Sequence, residues 1–152
     1  MLSKSTEYAI RALIYISASN QQGKKPGYKA IASEIGGPDQ FVAKILQAMV
    51  HRGILQAGRG RGGGFSFLPE AREITLHDLI MMLDGEKKWY GCGIGLERCS
   101  AENPCPFHQI YAPVREQILD MLRSTSILGL SESVMEGRTK LSSVLPMLSV
   151  QE

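Results

Sequence analysis

A mainly α-helical fold carrying one small β-hairpin is predicted by three observations. Apolar residues recur at helical spacing through most of the first 52 positions, two short alternating runs then flank a tract of glycine and arginine, and a second long helical period starts at Phe107. At 152 residues the chain can hold one domain with its own core plus a further arm.

The first helix is expected from about Thr6 to Ser19. Ala9, Ala12, Leu13 and Ile16 form its apolar face, and Tyr8, Ile10, Ile14 and Tyr15 widen it until the helix is apolar nearly all round. Such a helix belongs in the middle of a domain. Asn20 to Gly27 is a loop by composition. Tyr28 to Ile35 reads as a short helix with Ile31, Ala32 and Ile35 on one face, broken by Gly36 and Gly37. Pro38 then suits the first turn of a helix running to about Arg52 and ending at Gly53, with Phe41, Val42, Ile45, Leu46, Met49 and Val50 turned inward.

Two helices joined by a glycine turn behind a third helix match the helix-turn-helix layout, a spacing also shared by helical hairpins that never touch DNA. The next segment strengthens the match. Ile54–Ala57 and Phe65–Leu68 alternate as short strands, and between them lies Gly58-Arg59-Gly60-Arg61-Gly62-Gly63-Gly64. A basic hairpin directly after a helix-turn-helix is a wing. Its glycines permit positive φ and close backbone approach, and its arginines suit a narrow, electronegative minor groove. The tract lacks the Gly-Lys-Ser/Thr ending and following helix of a phosphate-binding loop.

Thr75-Leu76-His77-Asp78 reads as a capping box opening a helix to about Leu83, with Leu76, Leu79, Ile80 and Leu83 against the winged helix and His77 as a surface or cap residue. Residues 84–106 read as one long irregular loop holding all three cysteines, and loops of that length usually carry function. From Phe107 to about Ser124 the stripe Phe107, Ile110, Tyr111, Val114, Ile118, Met121 and Leu122 returns, with Pro113 positioned to kink its first turns. The same helix of a second subunit is the natural cover for that stripe; packing back on its own domain is the alternative. The expected organisation is a winged helix-turn-helix domain over 1–83, a cysteine loop over 84–106, a dimerisation helix over 107–130 and a frayed tail over 131–152.

Charge divides the same way. Up to Arg72 ten Lys and Arg face four acids, whereas from Glu73 onward seven bases face eleven acids. A basic half followed by an acidic half predicts a nucleic-acid-binding module joined to something else. The cysteines are spaced Cys92-x6-Cys99-x5-Cys105, with His108 three residues further on. An odd, clustered set argues against a disulfide framework and for metal or redox chemistry. Thiolates suit iron–sulfur clusters and zinc, and an imidazole can complete either set. The wide gaps fit the paired knuckles of structural zinc sites poorly and also depart from the common ferredoxin patterns.

Thr6-Glu7-Tyr8-Ala9-Ile10-Arg11-Ala12-Leu13, the wing Arg59-Gly60-Arg61-Gly62-Gly63-Gly64-Phe65 and the loop of Cys92, Cys99 and Cys105, in that order over residues 1–130, resemble the Rrf2 family of bacterial winged-helix regulators. The resemblance implies a homodimer on partly palindromic double-stranded promoter DNA. It places the helix of 38–52 in the major groove, presenting Gln40 and Lys44. It also puts Arg59, with Arg61, in the minor groove and Tyr28 and Lys29 on phosphates. It further implies an iron–sulfur cluster on Cys92, Cys99 and Cys105. The Cys-x2-His ending resembles that of IscR-like members, which favours a 2Fe-2S cluster with His108 as fourth ligand; 4Fe-4S is the other form in the family. NsrR-like members take the fourth ligand from an acid near the N-terminus of the other subunit, a place matched here by Glu7.

The expected function is therefore a transcription regulator, a repressor, responding to iron, oxygen, redox state or nitric oxide. A zinc-stabilised regulator and a cluster-bearing electron-transfer protein are the alternatives. No nucleophile–base set or cofactor loop points to an enzyme. No apolar run approaches a membrane span and the N-terminus lacks a secretory layout, so a cytoplasmic location is expected.

Overall fold

A computed structural model describes residues 1–142. The order is α1 (Lys4–Gln21), α2 (Tyr28–Ile35), α3 (Asp39–His51), β1 (Leu55–Ala57), β2 (Phe65–Phe67), a 3-10 turn (Pro69–Ala71), α4 (Leu76–Asp84), α5 (Lys87–Tyr90), α6 (His108–Ser124) and α7 (Ile127–Met135). The strands pair antiparallel, with Leu55 opposite Phe67 and Ala57 opposite Phe65. The chain is thus mainly helical with one hairpin wing, as its sequence predicts.

Helix α1 lies at the centre, in contact with α2, α3, β2, α4 and α7. Leu13 and Ile16 are wholly buried and Ala9 and Ala12 nearly so, because the helix has neighbours on most sides. Burying an aliphatic side chain of this size stabilises by about 1.5–3 kcal/mol, so this one helix supplies much of the core. The turn between α2 and α3 is set by two glycines. Gly36 caps α2 at φ +69°, a left-handed conformation that strains other residues. A Cβ on Gly37 would lie 2.8 Å from Val42 Cγ2 and 2.9 Å from the Tyr8 ring. Arg11 fixes the angle further, donating to the Ile35 carbonyl at 3.0 Å while covering the Tyr8 ring.

Pro38 stands as the extended residue ahead of α3 rather than inside its first turn. Thr75 caps α4 by accepting from the Asp78 N–H, but Asp78 turns its carboxylate toward His77, so only half of the expected capping box forms. Two expectations are corrected outright. The loop of 84–106 contains α5, whose Trp89 is buried with Ile80, Leu119 and Leu122 in a second apolar cluster. The tail is not frayed from Leu130. Helix α7, capped by Ser126, carries the buried Ile127 and packs on α1, where Ser131 Oγ lies 3.1 Å from Ser17 Oγ and accepts from Gln21 Nε2 at 2.8 Å. The expectation for the tail past residue 142 falls outside the described residues. Helix α6 runs unbroken through Pro113.

The start of α1 is tied to the end of α4 through Asp84, whose side chain is 4% exposed. Its carboxylate accepts from the Ser3 hydroxyl at 2.6 Å, the Thr6 hydroxyl at 2.7 Å and the Ser3 N–H at 3.1 Å. Burial pushes this carboxyl up, but those donors and the Lys88 ammonium outweigh it and hold it below its ordinary value. A carboxyl lowered by folding stabilises at neutral pH and loses that contribution as the pH falls through its folded value. Asp84→Asn is expected to reduce unfolding free energy at neutral pH by about 1–3 kcal/mol and to flatten the loss of stability below about pH 4, read from urea melts across that range.

Candidate metal centre and nucleic-acid interface

The three cysteines, 13 residues apart at their extremes, come together between α5 and α6: their sulfurs all lie within 4.8 Å of one another, and Cys92 Sγ is 3.6 Å from Cys105 Sγ. The loop turns back on itself through the Gly95 N–H donating to Cys92 O at 3.0 Å, and the His108 N–H donates to Cys105 O at 3.0 Å as α6 begins. Gly93 lies flat against the stacked rings of Phe107 and Tyr111, where a Cβ would come within 2.9 Å of both. Arg115 of α6 donates to the carbonyls of Tyr90 at 3.3 Å and Gly91 at 3.1 Å, fixing the chain as it enters the loop.

The thiols are not equivalent. The Ile94 N–H directed at its sulfur, reinforced by that of Leu96, lowers Cys92 to about 7 against the effect of burial. The Cys105 N–H pulls Cys99 down, but burial and the neighbouring thiols of Cys105 and Cys92 push it above its ordinary value. His108, at the first position of α6, reaches the set through Cys99, with Nδ1 3.2 Å from Cys99 Sγ. Three thiols and an imidazole form a soft donor set of the kind that binds zinc or iron–sulfur clusters. Glu7 stands apart within the chain: it lies on α1, paired with Lys4 at 3.0 Å.

The candidate DNA contacts lie on the other part of the fold. Tyr28 and Lys29 occupy the first turn of α2, with Tyr28 half-buried and Lys29 exposed. Gln40 and Lys44 are exposed on α3, and Arg59 and Arg61 are exposed at the wing tip. None of the four cations has an acidic partner within salt-bridge distance among the described residues. Gln47 and His51 are exposed on the same face of α3 as Gln40 and Lys44, a continuation that the i+7 and i+11 spacing from Gln40 could have disclosed. Sequence reading missed how the wing is held. Asn20, at the end of α1, donates to Phe65 O at 3.2 Å and accepts from the Phe67 N–H at 2.9 Å, and the Phe65 N–H donates to Pro26 O at 2.9 Å. Gly64, at φ +141°, has the Lys25 carbonyl so close that a Cβ would lie 2.1 Å from its oxygen.

An exposed second helix of a helix-turn-helix beside an anchored basic wing defines a winged-helix DNA-binding regulator. The profile of the Rrf2 family, iron-dependent transcriptional regulators, matches residues 2–133, and the chain belongs to that family. Its members are transcription regulators that bind DNA, and not enzymes. A putative HTH-type transcriptional regulator of Aquifex aeolicus is 30% identical over 132 residues, covering 86% of this chain and 90% of its own length. The HTH-type transcriptional repressor NsrR of Streptomyces coelicolor is 29% identical over 105 residues, covering 69% of this chain and 66% of its own length. Among solved structures, CymR of B. subtilis matches with a TM-score of 0.67 at 19% identity over 87% of this chain and 96% of its own. T. potens IscR matches with a TM-score of 0.66 at 19% identity over 91% of each chain. At that identity the two structures share the fold. No helix among the described residues is long and apolar enough to cross a membrane.

Proposed function

We propose that this chain is a dimeric repressor whose affinity for promoter DNA is set by an iron–sulfur cluster held by Cys92, Cys99, Cys105 and His108, 2Fe-2S in preference to 4Fe-4S. The observation that carries the proposal is the convergence of three sulfurs within 4.8 Å in a chain whose family is iron-dependent. An iron–sulfur cluster supplies a group that can be gained, lost, oxidised or nitrosylated, and so can report iron supply, oxygen, redox state or nitric oxide.

The protein's own residues provide the rest. Cys92, its thiol lowered to about 7, gives up its proton readily, which favours ligation near neutral pH. Cys99 and His108 join the middle of the loop to the first turn of α6, so the arrangement of ligands bears directly on that helix. Helix α6 has two faces. Leu119 and Leu122 are buried on the chain's own body, while Ile110, Val114 and Met121 are at least half exposed along the opposite stripe. A second copy is the cover that suits this stripe, and a dimer presents two copies of α3 and the wing to two half-sites. Gln40 and Lys44 then address the major groove, Arg59 and Arg61 the minor groove, and Tyr28 and Lys29 the phosphates.

A single zinc ion is the second reading, favoured by the compactness of the site: the 3.6 Å between Cys92 and Cys105 is close to the roughly 3.8 Å edge of a tetrahedron with 2.3 Å zinc–sulfur bonds.

Anaerobically isolated protein is expected to be coloured and to contain iron and acid-labile sulfide, with Cys99→Ala bleaching it; colourless protein with stoichiometric zinc decides for the second reading. Promoter binding is expected to differ between cluster-loaded and apo protein. Arg59→Ala is expected to weaken binding by about 1–3 kcal/mol and to lower the salt slope, and unchanged affinity and slope would exclude a wing contact. Val114→Glu is expected to convert the dimer to monomer in analytical ultracentrifugation, whereas a wild-type monomer would overturn the role given to α6.

A further inference from the structure

We propose that Tyr90 is a latch that couples the cysteine loop to the winged-helix body, and that its hydroxyl is the positioning group through which ligand state at Cys92 reaches DNA affinity. The inference rests on the cluster-regulated reading.

Tyr90 ends α5 two residues before Cys92, and its hydroxyl meets side chains from two other elements. His77 Nε2 of α4 lies 2.7 Å away and Arg123 Nη2 of α6 donates at 3.0 Å. One proton arrangement satisfies the whole chain. Arg123 has only donors, so the Tyr90 oxygen accepts from it; with the His77 proton on Nδ1, facing Asp78 Oδ1 at 3.4 Å, Nε2 is free to accept the Tyr90 proton. Arg123 is itself held by Asp120 at 2.9 Å and lies 3.9 Å from Glu116, whose other oxygen is 3.6 Å from Arg115 Nε. Since Arg115 donates to the carbonyls of Tyr90 and Gly91, two arginines of α6 grip one dipeptide, by its side chain and by its backbone.

The consequence is geometric. Only Gly91, itself held by Arg115, separates the gripped tyrosine from Cys92, so on the α5 side a rearrangement that moves Cys92 is transmitted directly to Tyr90. On the body side the latch ends at His77, shortly before the wholly buried Leu79 and the nearly buried Ile80 of α4. Leu79 belongs to the core that α1 shares with α2 and α3, while Ile80 lies in the cluster of Trp89 and α6. The tyrosine is 40% exposed, so its position depends on the hydroxyl contacts more than on burial. His77, which sequence alone leaves as a surface residue, becomes the body-side half of the joint.

Tyr90→Phe removes the hydroxyl and keeps the ring, including its edge contact with His77 at 6.2 Å. In apo protein, amide exchange over residues 88–95 is expected to rise about fivefold, as for the loss of one net hydrogen bond. In protein reconstituted anaerobically with iron and sulfide, iron content and visible spectrum are expected to match wild type, while the ratio of promoter affinities between loaded and apo forms falls toward one. Arg123→Met is expected to repeat this loss and Arg123→Lys to restore the wild-type ratio. A wild-type ratio in Tyr90→Phe overturns the latch, and so does loss of iron from that variant, which marks a structural role in loading. A wild-type protein whose loaded and apo forms bind DNA equally overturns the cluster-regulated reading itself, and the latch falls with it.

Discussion

Burial of α1 on nearly every side is the constraint from which the remaining architecture derives. A helix whose Leu13 and Ile16 admit no solvent must be surrounded, and five elements meet on it, with the small Ala9 and Ala12 letting neighbours approach. Both ends are then tied by polar side chains. Asp84 gathers the hydroxyls of Ser3 and Thr6 at the beginning, and Asn20 fastens strand β2 at the end. Because the helix that α3 packs on also anchors the wing, the two candidate DNA-contact regions share one reference. Their spacing is a property of α1 more than of the glycine-rich tract that joins the strands.

The C-terminal part is built to a different rule. There a small cluster of Ile80, Trp89, Leu119 and Leu122 carries the packing, and much of the remaining cohesion is polar: arginines reaching carbonyls, a tyrosine hydroxyl reached from two sides. Polar joints of this exposed kind contribute little stability each and can open one at a time. A packed body and a loop fastened by polar contacts meet along α6, and the same helix carries the exposed stripe of Ile110, Val114 and Met121. Thiol chemistry at one end of α6 and the exposed stripe along it thus share a single rigid element.

The parts legible in the sequence were those written in local periodicity. Helices α1 to α3, the hairpin and the long α6 announce themselves through apolar spacing and glycine punctuation, and the cysteines through their grouping. The features that escaped depend on partners far along the chain. Asn20 reads as a loop residue until Phe67 is beside it, and Asp84 as a loop acid until Ser3 and Thr6 are. Helix α5 is four residues long, too short for any period to register, and owes its place to burial of Trp89. Helix α7 looked like scattered leucines and serines because its inward residues include Ser131, whose buried hydroxyl is satisfied by Ser17 and Gln21, a pairing that sequence cannot display. The choice between His108 and Glu7 as a candidate fourth donor was hidden for the same reason: folding brings His108 Nδ1 to 3.2 Å from Cys99 Sγ, whereas Glu7 stays on α1, paired with Lys4.

Trp89 is the chain's single tryptophan, 7% exposed, with a buried indole N–H that has no hydrogen-bond partner among the described residues. It sits three residues before Cys92, within the cluster where α4, α5 and α6 meet. The molecule therefore carries an intrinsic fluorophore at the joint between loop and body. Its tryptophan emission originates from that one place, where burial shields the indole from quenchers in solution.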